Sequence, residues 1–221
     1  MKRFLAHVII EAKTPLKVGG GKNDLFYDAP AQRDWNGLPM ILGTSVAGIL
    51  RRALEESTDK ETANEIFGTR RKEKNKDNDK GQKESGGEDL IGSRLMISNA
   101  LLLDEEGKVC EELLLEKSEF LRLFDILPIR DHVAIGANGT AKDAGKFDEE
   151  VVYKGARFKF SLELNGNKDE FEKILNLLSD PSLRLGGGSS KGFGSLAINK
   201  IKYGEFEQFS SSLNKEPDGF R

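Results

Sequence analysis

Residues Phe4 to Pro15 alternate, with Phe4, Ala6, Val8 and Ile10 on one face and Leu5, His7, Ile9 and Glu11 on the other. That period of two predicts a strand with one strongly apolar face. Gly19-Gly20-Gly21 ends it, and a loop follows through Pro39. Thr44 or Ser45 is then placed to cap a helix whose apolar stripe is Val46, Ile49, Leu50, Ala53 and Leu54. The basic pair Arg51 and Arg52 is expected to project from that helix. Arg94 to Leu103 reads as a strand, and the polar turn Asp104 to Lys108 predicts a hairpin return through Leu113 to Leu115. Arg130 to Asp148 has few large apolar residues and predicts a long loop of the kind that is usually functional or disordered. Gly155 to Leu164 alternates again, Asp169 to Ser179 carries the helical stripe Phe171, Ile174, Leu175 and Leu178, and Ser195 to Ile201 forms a last strand.

The resulting order is strand, helix, strand region, strand, helix, strand. It predicts an α+β fold, a single ferredoxin-like (RRM-like) βαββαβ domain over residues 1–203. Insertions are expected at about 19–40, 69–92 and 128–154, with a flexible tail at 204–221. The insertion is clearest between Arg70 and Asp89, where seven Lys/Arg and six Asp/Glu stand without a large apolar residue. Such a stretch cannot form a core and is expected to be a solvated loop.

Composition narrows the classes. No apolar run approaches the roughly 20 residues of a membrane-spanning helix, and the N-terminus reads as a strand rather than a signal peptide. Cys110 is the lone cysteine. It excludes an internal disulfide and a cysteine-based zinc cluster, which fits a reducing cytoplasm. The net charge of −3 argues against nucleic-acid binding by bulk charge, so any such site must be a local patch.

The most informative segment is Arg184-Leu-Gly-Gly-Gly-Ser-Ser-Lys-Gly-Phe-Gly194, with five glycines between Gly186 and Gly194. Glycine lets a backbone approach a ligand closely. Successive amides can then cradle a phosphate, with Lys191 adding charge. The segment lacks the Gly-Lys-Ser/Thr ending of a P-loop and leads into a strand, so it points to a phosphate backbone rather than nucleotide hydrolysis. The alternative is a glycine-rich connection without a ligand. Phe193 is expected to anchor the loop by packing. His7 is expected to be packed or hydrogen-bonded in its strand. Trp35 has two open roles, stacking on a base or anchoring its loop against the core.

Three segments together resemble the RAMP superfamily of CRISPR-associated proteins. The first is Gly19-Gly-Gly-Lys22 with Asp28-Ala-Pro-Ala-Gln-Arg33 and Gly37-Leu-Pro39. The second is Ile41-Leu-Gly-Thr-Ser-Val-Ala-Gly-Ile-Leu-Arg51, and the third is the Gly186 to Gly194 loop. Supporting pieces are Ile66-Phe67-Gly68, Gly92-Ser-Arg-Leu95, Ser98-Asn99-Ala100 and Arg130…Gly139-Thr-Ala141…Glu150-Val-Val152. The resemblance runs from about Phe4 to Tyr203. It looks most like the backbone subunit of type III effector complexes, and resembles the divergent type III-D subunits at least as well as the common ones.

That resemblance implies a subunit that binds CRISPR RNA, repeats along it, contacts other effector subunits and cleaves complementary target RNA. It implies a thumb-like central loop and identifies Asp28 with the family's cleavage position. Asp28 is then both the catalytic residue and the ligand of Mg²⁺ or another divalent cation. One Asp suffices in principle, because magnesium keeps several waters and takes substrate phosphate as ligand. Asp24 and Asp34 lie near in sequence and could assist. Read without the resemblance, Asp28 is better explained as the cap of a turn. The implied RNA contacts are Gly20, Gly21, Lys22, Gln32, Arg33, Thr44, Ser45, Arg51, Arg52, Arg130, His132, Gly187, Gly188, Ser189 and Lys191. Ala47 stands where the family has Lys, so the resemblance implies that one phosphate contact is lost, with Arg51, Arg52 or Lys191 as the candidates to replace it. Two other readings stand beside this one: a non-catalytic RNA-binding scaffold of the same complex, and a CRISPR-RNA-processing endoribonuclease.

Overall fold

A computed structural model describes residues 2–20, 29–69 and 91–206. The first strand, β1 (Lys2–Ala12), alternates between buried and half-buried positions along most of its length, as its period requires. It lies in the middle of the sheet, antiparallel to β7 (Arg157–Gly166) on one side and to β8 (Leu196–Phe206) on the other. Beyond β7 come two short segments, β3 (Leu95–Ile97) and β4 (Ala100–Leu102), which together occupy one strand position. The two-residue β2 (Met40–Ile41) pairs with β4 at the edge. With β3 and β4 taken as one, the order is last strand, first, third, second, the antiparallel arrangement of a ferredoxin-like sheet.

Helices α1 (Gly43–Ser57) and α4 (Lys168–Leu178) cover one face of this sheet. Val46, Leu50 and Leu54 from α1, and Phe171, Ile174 and Leu178 from α4, pack into a core with Phe4, Val8, Ile10, Phe158, Phe160 and Leu162. Phe4 and Phe171 stack with ring centres 5.1 Å apart. The other helices are α2 (Lys60–Phe67), capped by Asp59, and α3 (Glu119–Arg122), capped by Ser118. Among the described residues no helix is long and apolar enough to cross a membrane.

Four sequence expectations need correction. The segment from Arg130 to Asp148 is not a loop: β5 (Ile129–Ile135) and β6 (Ala141–Glu150) form a hairpin of their own. Its alternation is muted because it packs little apolar surface, which is why its pattern reads as irregular. The hairpin return expected through Leu113 to Leu115 reduces to a single bridge between Leu103 and Val109; Leu113 and Leu115 are exposed and belong to no strand. Neither Thr44 nor Ser45 caps α1. The capping position is Leu42, and the Gly43 amide donates instead to Asn99 Oδ1 at 3.0 Å, across the break between β3 and β4. The last strand runs to Phe206, past the Tyr203 where the tail was expected to begin. The charged insertion and the rest of the tail lie outside the described residues. The insertion's flanks meet: the Thr69 amide donates to the Ile91 carbonyl, and the Ile91 amide donates to Thr69 Oγ1, both at 3.0 Å.

Candidate nucleic-acid interface

Three segments far apart in sequence converge beyond the C-terminal end of β1. After β1 the chain continues through Pro15 and Lys17, and the glycine loop lies along it. The Gly194 amide donates to the Pro15 carbonyl, and the Gly187 amide donates to the Lys17 carbonyl at 3.0 Å. Gly186, at φ +83°, comes so close that a Cβ would run into the Lys17 carbonyl oxygen. Gly194, at φ +83°, is pressed equally hard against the Leu185 carbonyl. These two glycines are required by the fold itself. The loop closes on a short 3₁₀ turn, Ser189–Lys191, that leaves Ser189 and Lys191 exposed.

The hairpin is the second segment. Lys17 forms an ion pair with the buried Glu149 of β6. His132 on β5 stacks on Phe147 of β6, its ring centre 5.1 Å away. His132 Nε2 lies 3.2 Å from Glu149 Oε2 but off the direction of a hydrogen bond, so this buried nitrogen has no partner directed at it among the described residues. From the glycine loop, the Lys191 ammonium sits 5.4 Å from the centre of the Phe147 ring.

The third segment is the first loop. Its described parts pair with one another, the Gly20 amide donating to the Pro30 carbonyl at 2.9 Å. Ala29 bridges to Glu149, and the Glu150 amide donates to the Ala29 carbonyl at 3.1 Å. Glu150 in turn accepts from the Ala31 amide at 2.9 Å and from Arg33 Nη2 at 3.1 Å. The chain therefore re-enters the described region at Ala29, directly against the base of the hairpin. Asp28, Gly21, Lys22 and Asp24 lie outside the described residues.

Several expected RNA contacts are spent inside the protein. Arg33 donates to the carbonyls of Gly37 and Phe124, at 2.8 and 2.9 Å, as well as to Glu150. Gln32 donates to the Arg33 carbonyl. Arg51 does not project: it is buried, donating to Glu55, to Asn64 and to the Gly68 carbonyl, and so ties α1 to α2. Asp34 caps a local turn by accepting from the amides of Asn36 and Leu38. The cradle of free amides expected of the glycine loop is narrower than the sequence suggests. The amides of Gly187, Lys191, Gly192, Phe193 and Gly194 all donate within the protein, and Gly188 packs on the Phe193 ring.

Other expected groups are accessible. Thr44 and Ser45 are exposed on the first turn of α1, and Arg52 is exposed beside Glu56. Arg130 is exposed on the hairpin, and Trp35 is 60% exposed, which removes the anchoring role for its ring. His7, as expected, is hydrogen-bonded in its strand, to Ser161 Oγ at 2.9 Å. Lys17, Phe147 and Glu149 are the residues that sequence reasoning missed. Glu149-Glu150 ahead of Val151-Val152 was the available signal, two carboxylates entering an apolar strand end.

No group of three or more His, Cys, Asp or Glu residues is placed to hold a metal among the described residues. Glu149 and Glu150, the carboxylates beside the Ala29 re-entry point, are matched by Lys17 and Arg33. They do not add a ready ligand set to whatever Asp28 supplies.

No curated protein matches the chain. Among solved structures it is similar to a chain from the cryo-EM structure of the type III-B Cmr-beta bound to cognate target RNA. The TM-score is 0.61 at 17% identity, over 91% of this chain and 61% of that one. This chain thus spans less than two thirds of that neighbour. It is also similar to a chain of the type III-B Cmr-beta apo state, with TM-score 0.61 at 13% identity, over 89% of this chain and 96% of that one. Both likenesses are of fold. Residues 9–197 match the family model of the RAMP superfamily, from within β1 to the start of β8, and the chain belongs to that superfamily.

Proposed function

We propose that this chain is a CRISPR-RNA-binding backbone subunit of a type III CRISPR ribonucleoprotein, and that it cleaves complementary target RNA with a divalent cation, Asp28 being the catalytic and metal-binding carboxylate. The observation that carries this reading is the convergence of the first loop, the hairpin and the glycine loop on one patch. Lys191, Ser189, Thr44, Ser45, Arg52 and Arg130 supply exposed cations and hydroxyls suited to phosphate and 2′-OH groups. Such contacts carry no sequence information, as a guide of changing sequence requires. The hairpin leaves Ile129, Val133 and Ile135 exposed on one face, consistent with a thumb that meets bases or a neighbouring subunit. Both of these neighbours in fold come from type III-B assemblies, one of them bound to target RNA. The partners in this reading are CRISPR RNA, target RNA, other effector subunits and further copies of the chain along the guide.

Asp28 is flanked by Ala29, which is held against Glu149 and Glu150. Magnesium, when bound, would neutralise phosphate charge beside the reacting 2′-OH. With Glu149 and Glu150 already paired, Asp28, water and phosphate oxygens would be its ligands.

The test is cleavage of target RNA by a complex reconstituted with Asp28→Ala or Asp28→Asn. Assembly and guide content should persist, while metal-dependent cleavage falls by roughly 10²-fold or more. Wild-type cleavage in these variants, with assembly intact, would leave the scaffold reading. Loss of cleavage in Asp34→Ala alone would overturn the assignment of Asp28.

A further inference from the structure

Large apolar side chains stand in water along the stretch between β4 and the base of the hairpin. Leu113 is 70% and Leu115 95% exposed, and Leu123 and Ile126 are exposed just after α3. The backbone holds the first two out. Asn36, itself buried, donates from Nδ2 to the Glu112 carbonyl and accepts from the Leu114 amide, each at 2.9 Å. Its amide thus serves the segment as a strand partner would. Leu114 packs against the core, and Leu113 and Leu115 on either side of it stay outside. The exposed Trp35 immediately precedes the clamping Asn36. Nearby, Phe120, Leu123, Phe124 and Tyr153 line an apolar hollow of about 330 Å³, its wall set by the edge-to-face contact of Phe124 and Tyr153 with ring centres 5.8 Å apart. Exposed apolar groups gathered in this way mark an interaction surface.

The charge around these leucines says what covers them. Between Asp104 and Glu119 the chain has seven Asp/Glu against two Lys, an excess larger than the net −3 of the whole protein. Both lysines are matched, Lys108 by Glu106 and Lys117 by Asp125. Glu111, Glu112, Glu116 and Glu119 are exposed and form no ion pair among the described residues. The Cys110 thiol sits in the same field: burial first, then Asp104, Asp34 and Glu105, push its pKa up. An RNA strand here would set phosphate against carboxylate. A second copy docking through the same patch would set carboxylate against carboxylate. Only a basic partner is attracted by this rim.

Resting on the reading of this chain as an effector subunit, we propose that this surface docks a different protein subunit through a basic amphipathic segment. Apolar side chains of that segment cover Leu113 and Leu115 and fill the hollow, and its Lys or Arg residues pair with Glu112, Glu116 and Glu119. The leucines and the hollow supply the hold, and the acidic rim supplies orientation and encounter rate. RNA stays at the loop patch, where the exposed groups are cations and hydroxyls.

The test has two arms. In the first, the purified full chain is titrated by anisotropy with a fluorescein-labelled amphipathic Leu/Lys helix of about eighteen residues, and with the same pattern carrying Glu for Lys. The Lys peptide should bind roughly tenfold or more tightly than the Glu peptide. Leu113→Ser/Leu115→Ser should weaken it roughly tenfold at an unchanged melting temperature, and Glu112→Gln/Glu116→Gln/Glu119→Gln should flatten its salt dependence. In the second arm, each variant is assembled with guide RNA and the other effector subunits, and native mass spectrometry counts every component. A subunit other than this chain should be lost while guide RNA and the copies of this chain are retained. Equal binding of the two peptides, or retention of every subunit, overturns the proposal. Loss of copies of this chain would make the face a self-contact, and loss of guide RNA would make it an RNA surface; either overturns it too. If the wild-type chain assembles with neither RNA nor other subunits, the effector reading fails, and the peptide arm alone decides whether the docking surface exists.

Discussion

Lys191 holds its ammonium 5.4 Å from the centre of the Phe147 ring, so the glycine loop and the β5–β6 hairpin touch through one cation and one aromatic face. Lys17 and Glu149 tie the same hairpin to the segment after β1 along which the glycine loop lies. Lys17→Met combined with Phe147→Leu should therefore free the hairpin without unfolding the domain. Hydrogen exchange is the measurement: amides of β5 and β6 should exchange faster while those of β1 and β7 keep their protection. Equal acceleration throughout would mean that the hairpin is part of the cooperative core.

Arg51 and Arg52 are adjacent in sequence and opposite in consequence. Arg51→Ala strips a buried cation from Glu55, Asn64 and the Gly68 carbonyl and should cost about 2–4 kcal/mol of stability. Arg52→Ala breaks one exposed pair with Glu56 and should change stability by under about 0.5 kcal/mol. Denaturant melts of the two variants decide the matter, and a milder Arg51 variant would contradict the burial.

The glycines of the loop divide in the same way. Gly186→Val meets both a positive φ and the Lys17 carbonyl, and should lower stability by about 2–4 kcal/mol. Gly192→Ala has an equally positive φ of +87° but open space around its Cβ, and should cost only about 1–2 kcal/mol. If both variants melt alike, the close approach to Lys17 is not what holds the loop.

Arg94 donates to both carboxylate oxygens of Glu170, at 2.8 and 3.0 Å, joining the start of β3 to the capping turn of α4. Those hydrogen bonds hold the Glu170 carboxyl below the ordinary glutamate range. A carboxyl depressed in the folded state stabilises fully above its unfolded value, and that contribution is lost as pH falls through the folded one. Arg94→Met should therefore destabilise the protein at neutral pH and flatten the acid side of its stability profile, measured by melts between about pH 3 and pH 7. An unchanged acid limb would assign the acid sensitivity elsewhere.

Deleting residues 73–87 should leave the unfolding transition cooperative and within about 0.5 kcal/mol of wild type. The flanks already meet through Thr69 and Ile91. Calorimetry checks this, and aggregation of the shortened chain would show that the segment covers core surface.

The central strands and the two long helices were legible because their burial follows a strict period. Phe4, Val8 and Ile10, like Phe158, Phe160 and Leu162, have no other reading than one face of a sheet. The hairpin was not legible, because Val133 and Ile135 face outward and β6 carries a single large apolar residue, Phe147. The fate of the arginines was also hidden. Neither Arg33 nor Arg51 carries a local sign that its fork will be satisfied by carbonyls supplied from Phe124 or Gly68. Asn99, which serves the start of α1 from across the sheet, is invisible to any rule that looks only at the capping residue.

β1 is an eleven-residue beam, about 35 Å long at strand rise. Its Phe4 end pairs with Leu164, which in turn pairs with Leu95, close to where the chain returns from the charged insertion. Its other end leads into Lys17, the glycine loop and the hairpin. The two ends share a core but no loop. One terminus of the beam can lengthen, shorten or change its charge over generations while the geometry of the other is preserved.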